Sequence, residues 1–168
     1  YSQPVDSLFT PMMHRSDNFF AEQILMMCAA KQWDTISTAR MIGYMQKDYL
    51  QFLPDTPKWV DGSGLSRYNL FTPRDFVSVL TKMRQQVPEA RLWDIFPTGG
   101  KGTLRNYYQG QFVHAKTGTL NGCVALSGYL VTKKGKTLVF SVLVNNHVNN
   151  ASSVVRRAVE KFLTAVKD

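Results

Sequence analysis

Two short groups of polar residues in this sequence could do chemistry together. Ser16-Asp17-Asn18 offers a hydroxyl, a carboxylate and an amide, and Lys116-Thr117-Gly118 offers an ammonium and a hydroxyl beside a residue without a side chain. An ammonium in a partly dry site lowers the cost of developing negative charge, and a serine hydroxyl both donates and accepts hydrogen bonds. These residue types suit a reaction in which an anion forms, provided that folding brings the two groups together.

Each group alone also has a simpler explanation. Ser16 and Asn18 are residue types that cap helices, and Lys116 could be a solvated lysine on an edge strand. Three-residue strings recur by chance, so neither group identifies a site without the other. The elements around them must therefore decide whether they act together.

Apolar spacing predicts the helices that would position the first group. Four apolar residues recur at intervals of three and four and predict a helix from Ser16 to Lys31, with Ser16 or Asp17 as its cap: Phe20, Ile24, Met27 and Cys28. Further helices are predicted over about 35–49, 73–87 and 152–166, and Thr72-Pro73-Arg74-Asp75 is a strong helix start. The apolar stripe with Met26 and Met27, and both cysteines, Cys28 and Cys123, are predicted core residues.

Three strands are predicted for the second half of the chain, over 112–118, 123–132 and 137–145. Lys133-Lys134-Gly135-Lys136 indicates a hairpin turn between the last two, so the strands form an antiparallel meander. The last two strands are apolar on both alternating faces, which predicts a sheet covered by helices on both sides. The predicted fold class is therefore α/β in the α+β sense.

Composition limits the classes of protein that this chain can be. With 168 residues, 44% of them hydrophobic, it is long enough for one globular domain or part of one. A net charge of +8 favours anionic partners, but the basic residues are dispersed and no nucleic-acid motif is present, so we predict no nucleic-acid partner. The two cysteines and three scattered histidines have no metal-ligand spacing, so no metal or cofactor is predicted.

Four blocks, taken in order, resemble the carboxy-terminal part of the D-alanyl-D-alanine carboxypeptidase/endopeptidase family of penicillin-binding protein 4 or DacB type, peptidase family S13. The blocks are Ser16-Asp17-Asn18 with Ala21-Glu22; Asp61-Gly62-Ser63-Gly64-Leu65-Ser66-Arg67 with Asn69 and Thr72-Pro73; Gly102-Thr103-Leu104; and His114-Ala115-Lys116-Thr117-Gly118-Thr119-Leu120. The first and last match two of the three signatures of penicillin-binding proteins and serine β-lactamases. The resemblance covers nearly the whole chain and implies a β-lactamase/transpeptidase-like fold, with an antiparallel sheet flanked by helices.

The resemblance also implies a role for each of the residues in the two groups. Ser16, Asn18 and Lys116 are the expected catalytic residues: Ser16 relays a proton, Asn18 positions the substrate backbone and Lys116 supplies positive charge. The expected substrate-binding residues are Thr117, Gly118 and Thr119. The hydroxyls of Thr117 and Thr119 would donate hydrogen bonds to a terminal carboxylate, and the Thr119 N–H would join an oxyanion hole. Gly118 would keep the strand edge clear for a peptide.

The family's third signature, S-x-x-K, is absent, because no serine is followed by a lysine three positions later. That motif carries the nucleophile and lies far toward the amino terminus in this family. We therefore expect residues 1–168 to be the carboxy-terminal segment of a penicillin-binding catalytic domain, incomplete and inactive by itself. The chain starts at Tyr1 without a signal-like segment, which agrees with a mature form or an excised piece.

The expected function of the parent protein is that of a serine-type D-Ala-D-Ala carboxypeptidase or endopeptidase acting on peptidoglycan through an acyl-serine intermediate. Its expected partners are peptidoglycan stem peptides, β-lactam antibiotics and the missing amino-terminal part, at an extracytoplasmic location; self-association stays open. The alternative is a nucleophile-less module that binds cell-wall peptides without turnover. The loop 61–67 could border the site, but a glycine-rich loop with a charge at each end is more often just a turn, and none of its residues is predicted to be catalytic.

Overall fold

A three-stranded antiparallel sheet in the order β1-β2-β3 lies at the centre of the computed structural model, which describes residues 3–148 and 152–168. The elements are, in chain order, α1 (Asp6–Arg15), α2 (Asn18–Trp33), α3 (Thr38–Asp48), α4 (Pro73–Gln86), α5 (Glu89–Ile95), a short 3-10 helix (Gly102–Leu104), β1 (Val113–Leu120), β2 (Cys123–Val131), β3 (Thr137–Asn145) and α6 (Ser152–Lys167). The predicted α+β class and antiparallel meander are confirmed.

The strands pair in a continuous register. Lys116 lies opposite Ser127, and Leu126 lies opposite Val142. The hairpin between β2 and β3 turns at Gly135, whose φ of 73° is a left-handed conformation that glycine adopts at little cost. The predicted hairpin and the bounds of β3 agree with the structure, while β1 continues two residues beyond its predicted end.

Helices pack against both faces of the sheet, as the two-sided apolar strands predict. On one face, Leu163 of α6 joins Val113 and Leu130 in a buried cluster. On the other face, Tyr129 joins Leu80 of α4 and a group from α5 and the residue that follows it: Leu92, Ile95 and Phe96. Because adjacent strand residues point to opposite faces, Tyr129 and Leu130 divide the two cores between them.

A third apolar cluster joins α2 to α3 away from the sheet. Its buried members are Leu25, Ala29, Met41 and Ile42. The helix α4 begins with a full capping box, in which Thr72 accepts from the N–H of Asp75 and the Asp75 carboxylate accepts from the N–H of Thr72. Asp75 is almost fully buried, and its second hydrogen bond, to the N–H of Asp55, explains how a carboxylate is accommodated there.

Two sequence predictions were wrong, one about the start of α2 and one about which residues belong to the core. The helix begins at Asn18 rather than Ser16, because a separate helix, α1, ends at Arg15 and the chain turns between them. Cys28 and Met27 are exposed, and Cys123 is only half-buried, so none of the three belongs to the core as predicted. The cause is that α2 is apolar around much of its circumference, and only the side with Leu25 and Ala29 meets α3.

The helices α1 and α5 were absent from the sequence predictions. Pro11 lies inside α1, and α5 has only seven residues, so neither shows the long uninterrupted period on which such predictions depend. The helix α3 begins at Thr38, three residues after its predicted start, because Ser37 caps its first turn, and it ends one residue before its predicted end. None of the helices in the described ranges combines the length and the apolar composition needed to cross a bilayer.

The backbone near the end of α1 packs closely against Gly102. A Cβ at this position would lie 2.6 Å from the carbonyl oxygen of His14, whereas a Cβ at Gly100 would have no neighbour within 4 Å. Both glycines have a positive φ, of 53° and 83°. Only Gly102 is therefore required by a contact as well as by its backbone conformation.

We expect Gly102→Ala to lower the free energy of unfolding by about 1–3 kcal/mol more than Gly100→Ala, because both pay the left-handed strain but only the first creates a clash. Thermal unfolding of the intact protein, wild type against both variants, measures the difference. Equal losses in the two variants would show that the close approach of His14 carries no cost.

Candidate functional site

Ser16 occupies the turn between α1 and α2. Its φ of 56° and ψ of 52° are left-handed, which is uncommon for a residue with a side chain. The Asp17 carboxylate accepts from the N–H of Phe20 at 3.0 Å and caps α2. Because Asp17 performs the capping, the Ser16 hydroxyl is available to a partner outside its own helix.

That partner is Lys116. Its Nζ donates to Ser16 Oγ at 2.6 Å and to the carbonyl oxygen of Thr117 at 2.7 Å, across 100 residues of sequence in the first case. Burial disfavours the charged ammonium and lowers the pKa of Lys116 to about 8. Lys116 is therefore a partly buried cation held by two oxygens.

The hydrogen bond from Lys116 leaves the hydroxyl proton of Ser16 available for donation. A hydroxyl that accepts a hydrogen bond from an ammonium keeps its own proton for donation to another group. Asn18 is the first residue of α2 and lies half-buried two positions after Ser16. The structure thus brings the hydroxyl and the ammonium into contact and places the amide beside them along the chain.

The strand β1 has one covered and one open stretch along its outer edge. Near its start, the Ala115 N–H donates to the carbonyl of Pro97, and Thr98 forms a bridge with His114. Alternate residues of an antiparallel strand turn their backbone groups away from the paired strand, so Thr117 and Thr119 face the same edge as Ala115. In the described residues no strand pairs with that edge beyond Ala115, which leaves the Thr119 N–H facing outward.

The side chains of β1 lie on two faces. Lys116 and Gly118 share one face, and Thr117 and Thr119 share the other, since strand side chains alternate. A Cβ on Gly118 would approach the Cβ of Ala125 to 3.2 Å, so this glycine also relieves crowding inside the sheet. The six predicted site residues therefore lie along one open strand edge and at the helix junction that contacts it.

The loop 61–67 is built around a carboxylate. Burial alone would raise the pKa of Asp61, but hydrogen bonds from the Gly64 N–H, Asn69, Ser63 and the Ser66 N–H outweigh it and lower the pKa. The Glu22 carboxylate of α2 holds the loop by accepting from the N–H groups of Gly62 and Ser63 at 2.7 and 3.0 Å. The loop is more than an ordinary turn, because two acids fix its shape.

The same loop reaches the far end of β1. Arg67 donates to the carbonyl of Asn121 at 2.8 Å, in the turn that follows the strand. The sequence pattern found the loop but left its position open. The structure places it between α2 and the end of β1, so it borders the open edge.

A further contact at this edge was not foreseen from the sequence. Arg156 of α6 donates from Nη2 to Thr119 Oγ1 at 2.5 Å. Nothing in the sequence indicated this contact, because Arg156 is one of several basic residues on an amphipathic helix and belongs to no motif.

An open depression of about 420 Å³ lies along α4, near Phe52 and Lys82. It contains none of the predicted site residues.

The chain is similar to known proteins over nearly its whole length. Residues 1–166 match the D-Ala-D-Ala carboxypeptidase 3 (S13) family. The D-alanyl-D-alanine carboxypeptidase DacB of Haemophilus influenzae is 28% identical over 94% of this chain and 35% of its own length, and the D-alanyl-D-alanine carboxypeptidase of Actinomadura sp. is 33% identical over 94% and 31%. The chain thus spans about a third of the length of these relatives.

Solved structures give the same fold. The crystal structure of penicillin-binding protein 4 (DacB) of Haemophilus influenzae superposes with a TM-score of 0.83 at 25% identity, over 99% of this chain and 40% of that one. A second structure of that protein, in complex with a β-lactam, gives a TM-score of 0.80 at 26% identity, over 96% and 42%.

The TLA-3 extended-spectrum β-lactamase, at 18% identity, shares the fold with a TM-score of 0.69 over 99% of this chain and 64% of its own. The predicted β-lactamase/transpeptidase-like fold is therefore confirmed, as is the resemblance read from the four sequence blocks. The chain belongs to the D-Ala-D-Ala carboxypeptidase 3 (S13) family.

Proposed function

We propose that this chain is the carboxy-terminal segment of a serine-type D-Ala-D-Ala carboxypeptidase or endopeptidase, to which it contributes the S-x-N and K-T-G groups but not the nucleophile. The observation that carries the proposal is the 2.6 Å hydrogen bond from Lys116 to Ser16, which joins the two groups in a chain of this family. Residues 1–168 form part of one catalytic domain in this proposal, and the S-x-x-K serine comes from the preceding segment.

The proposed reaction is acyl transfer. The nucleophilic serine hydroxyl attacks the carbonyl carbon of the peptide bond, its proton passes to the leaving amine, and an acyl ester remains until water hydrolyses it. Ser16 relays the proton through its hydroxyl, and Asn18 holds the substrate backbone. Lys116 stabilises the negative charge that develops, and the outward N–H of Thr119 joins the nucleophile's N–H at the oxyanion.

The open edge of β1 supports a peptide ligand as substrate. A peptide laid along Thr117 and Thr119 would gain backbone hydrogen bonds as an added strand, and the hydroxyls on one face would meet its carboxylate. Peptidoglycan stem peptides and β-lactams are the partners that this site would take, since the related Haemophilus protein is described with a β-lactam bound. Such a protein acts at an extracytoplasmic location, where peptidoglycan lies.

Two unpaired surfaces support the proposal that another segment completes the domain. The outer edge of β3 has no strand beside it in the described residues. One side of α6 exposes apolar residues at helical spacing, namely Val154, Phe162 and Val166, at 69%, 60% and 40%. An open strand edge and an exposed apolar stripe are both surfaces that a folded protein normally covers.

A binding module without turnover is the alternative function. It would keep the open edge of β1 and the Lys116–Ser16 contact, and it would hold cell-wall peptides by the same hydrogen bonds. The two functions differ in one respect only, which is whether an S-x-x-K serine reaches the site.

Covalent labelling separates them. We expect the intact protein to form a fluorescent band on a denaturing gel after incubation with a fluorescent penicillin, and we expect this chain alone to form none, because the acyl ester needs the missing serine. A matched control replaces that serine by alanine. An intact protein that has S-x-x-K and remains unlabelled would contradict the enzyme proposal.

The reaction should depend on the charge of Lys116. With a pKa of about 8, the ammonium form dominates below that pH and is lost above it, so we expect the acylation rate to fall as the pH rises through about 8. Lys116→Arg should remove this alkaline limb, because arginine stays protonated. Rate constants for penicillin acylation between pH 6 and 10 measure both. An unchanged limb in the arginine variant would exclude Lys116 as its origin.

The exposed apolar side of α6 gives a third test, since the proposal expects another segment of the protein to cover it. Phe162 and Leu163 are neighbours, but their exposure in this chain is 60% and 2%. In the intact protein we expect Phe162→Ala to cost about 3 kcal/mol of unfolding free energy, comparable to Leu163→Ala, because the missing segment packs on Phe162. Denaturant unfolding of both variants measures this. A loss below about 0.5 kcal/mol for Phe162→Ala would show that the residue faces solvent in the whole protein.

A further inference from the structure

The guanidinium of Arg156 lies at the open end of β1 and makes one side-chain hydrogen bond to the described residues. One of its five N–H donors binds Thr119 Oγ1 at 2.5 Å. In the described part of the chain no carboxylate lies within ion-pair distance of Arg156; the ion pairs there are formed by Arg74, Arg84, Arg91, Lys133 and Arg157.

The adjacent arginine shows what an internally satisfied residue looks like on the same helix. Arg157 donates to the Glu160 carboxylate at 2.6 Å and to the carbonyl of Asn106, and it stacks on the ring of Tyr107 at 4.5 Å. Among the residues that the structure describes, Arg156 hydrogen-bonds through its side chain only to Thr119, on a strand 37 residues earlier in sequence. The two arginines carry equal charge but serve different surroundings.

The contact with Arg156 also fixes what Thr119 can do. Because its hydroxyl oxygen accepts from the guanidinium, its proton is free to be donated to a third group. The arginine and the hydroxyl then present donors side by side, one of them charged. Adjacent donors of this kind match the two oxygens of a carboxylate, for which guanidinium groups have the appropriate geometry.

Lys116 does not provide this function on the same side of the strand. Its ammonium lies on the opposite face of β1 from Thr119 and is engaged by Ser16 and the Thr117 carbonyl. The permanent positive charge next to the Thr119 hydroxyl is therefore that of Arg156.

We propose that Arg156 of α6 binds the free carboxylate of the ligand together with Thr119, and so makes the open edge of β1 selective for peptides that end in a carboxylate. This rests on the proposed function, in which the edge receives a peptide. Arg156 is a specificity-determining residue in this proposal: it recognises the end of the ligand and takes no part in proton transfer. A capped peptide end, such as an amide, would lose the charge-assisted bond and gain nothing in exchange.

The test compares a short N-acetylated peptide ending in D-Ala-D-Ala with the same peptide ending in a C-terminal amide. Binding of each is measured by calorimetry to the intact protein with its S-x-x-K serine, where present, replaced by alanine, so that no turnover occurs. Four proteins are compared: this parent, Arg156→Gln, Arg156→Lys and the matched control Arg157→Gln. Thermal unfolding confirms that each is folded.

We expect the parent to prefer the acid, and Arg156→Gln to weaken binding of the acid by about 10- to 100-fold while changing binding of the amide less than about 2-fold. Arg156→Lys should restore part of the preference, since it restores the charge without the planar pair of donors. Arg157→Gln should keep the full preference.

The inference is overturned if the parent shows no preference for the acid, if Arg156→Gln keeps that preference, or if it weakens acid and amide equally. Penicillin labelling of the protein with its serine intact is scored separately. An unlabelled protein that shows an Arg156-dependent preference would refute the enzyme proposal and retain the carboxylate site. A labelled protein without that preference would do the reverse.

Discussion

The hydrogen bond between the Lys116 ammonium and the Ser16 hydroxyl is the interaction on which the rest of the site depends. A lysine taken out of water is costly unless oxygens replace its hydration, and here one side-chain oxygen and one carbonyl do so. The junction of α1 and α2 must therefore be held at a fixed distance from β1. The close packing of Gly102 on His14 and the capping of α2 by Asp17 fix that junction.

The sheet has two outer edges, and we expect a different partner at each. Residues 97–98 cover the edge of β1 at its start, and in the described residues no strand pairs with it from Thr117 onward, in the stretch that holds Thr117, Gly118 and Thr119. In the described ranges the outer edge of β3 has no paired strand, and α6 exposes apolar side chains. An unpaired edge is a hazard in a folded protein unless a partner uses it. In the function that we propose, a ligand on β1 and the remainder of the domain on β3 would give each edge such a partner.

The contacts of individual lysines and arginines show where the net charge of +8 could act. In the described residues four arginines pair with internal carboxylates, namely Arg74, Arg84, Arg91 and Arg157. Lys116 and Arg156 differ, because each is bonded to a hydroxyl rather than to an acid. Their contacts lie on opposite faces of β1, so in our proposals Lys116 serves the reacting groups and Arg156 the end of the ligand. Overall charge suggested an anionic partner without locating it.

The sequence by itself determined the family, the antiparallel strands and the helix at Thr72, because these follow from local order: residue blocks, alternation and capping. It also named Ser16 and Lys116, but only the tertiary structure decided that they touch, since 100 residues separate them. The helix α1, the exposure of Cys28 and the contact of Arg156 with Thr119 depend on which surfaces meet after folding. Periodicity records that a residue is apolar or charged, whereas packing alone decides what lies beside it.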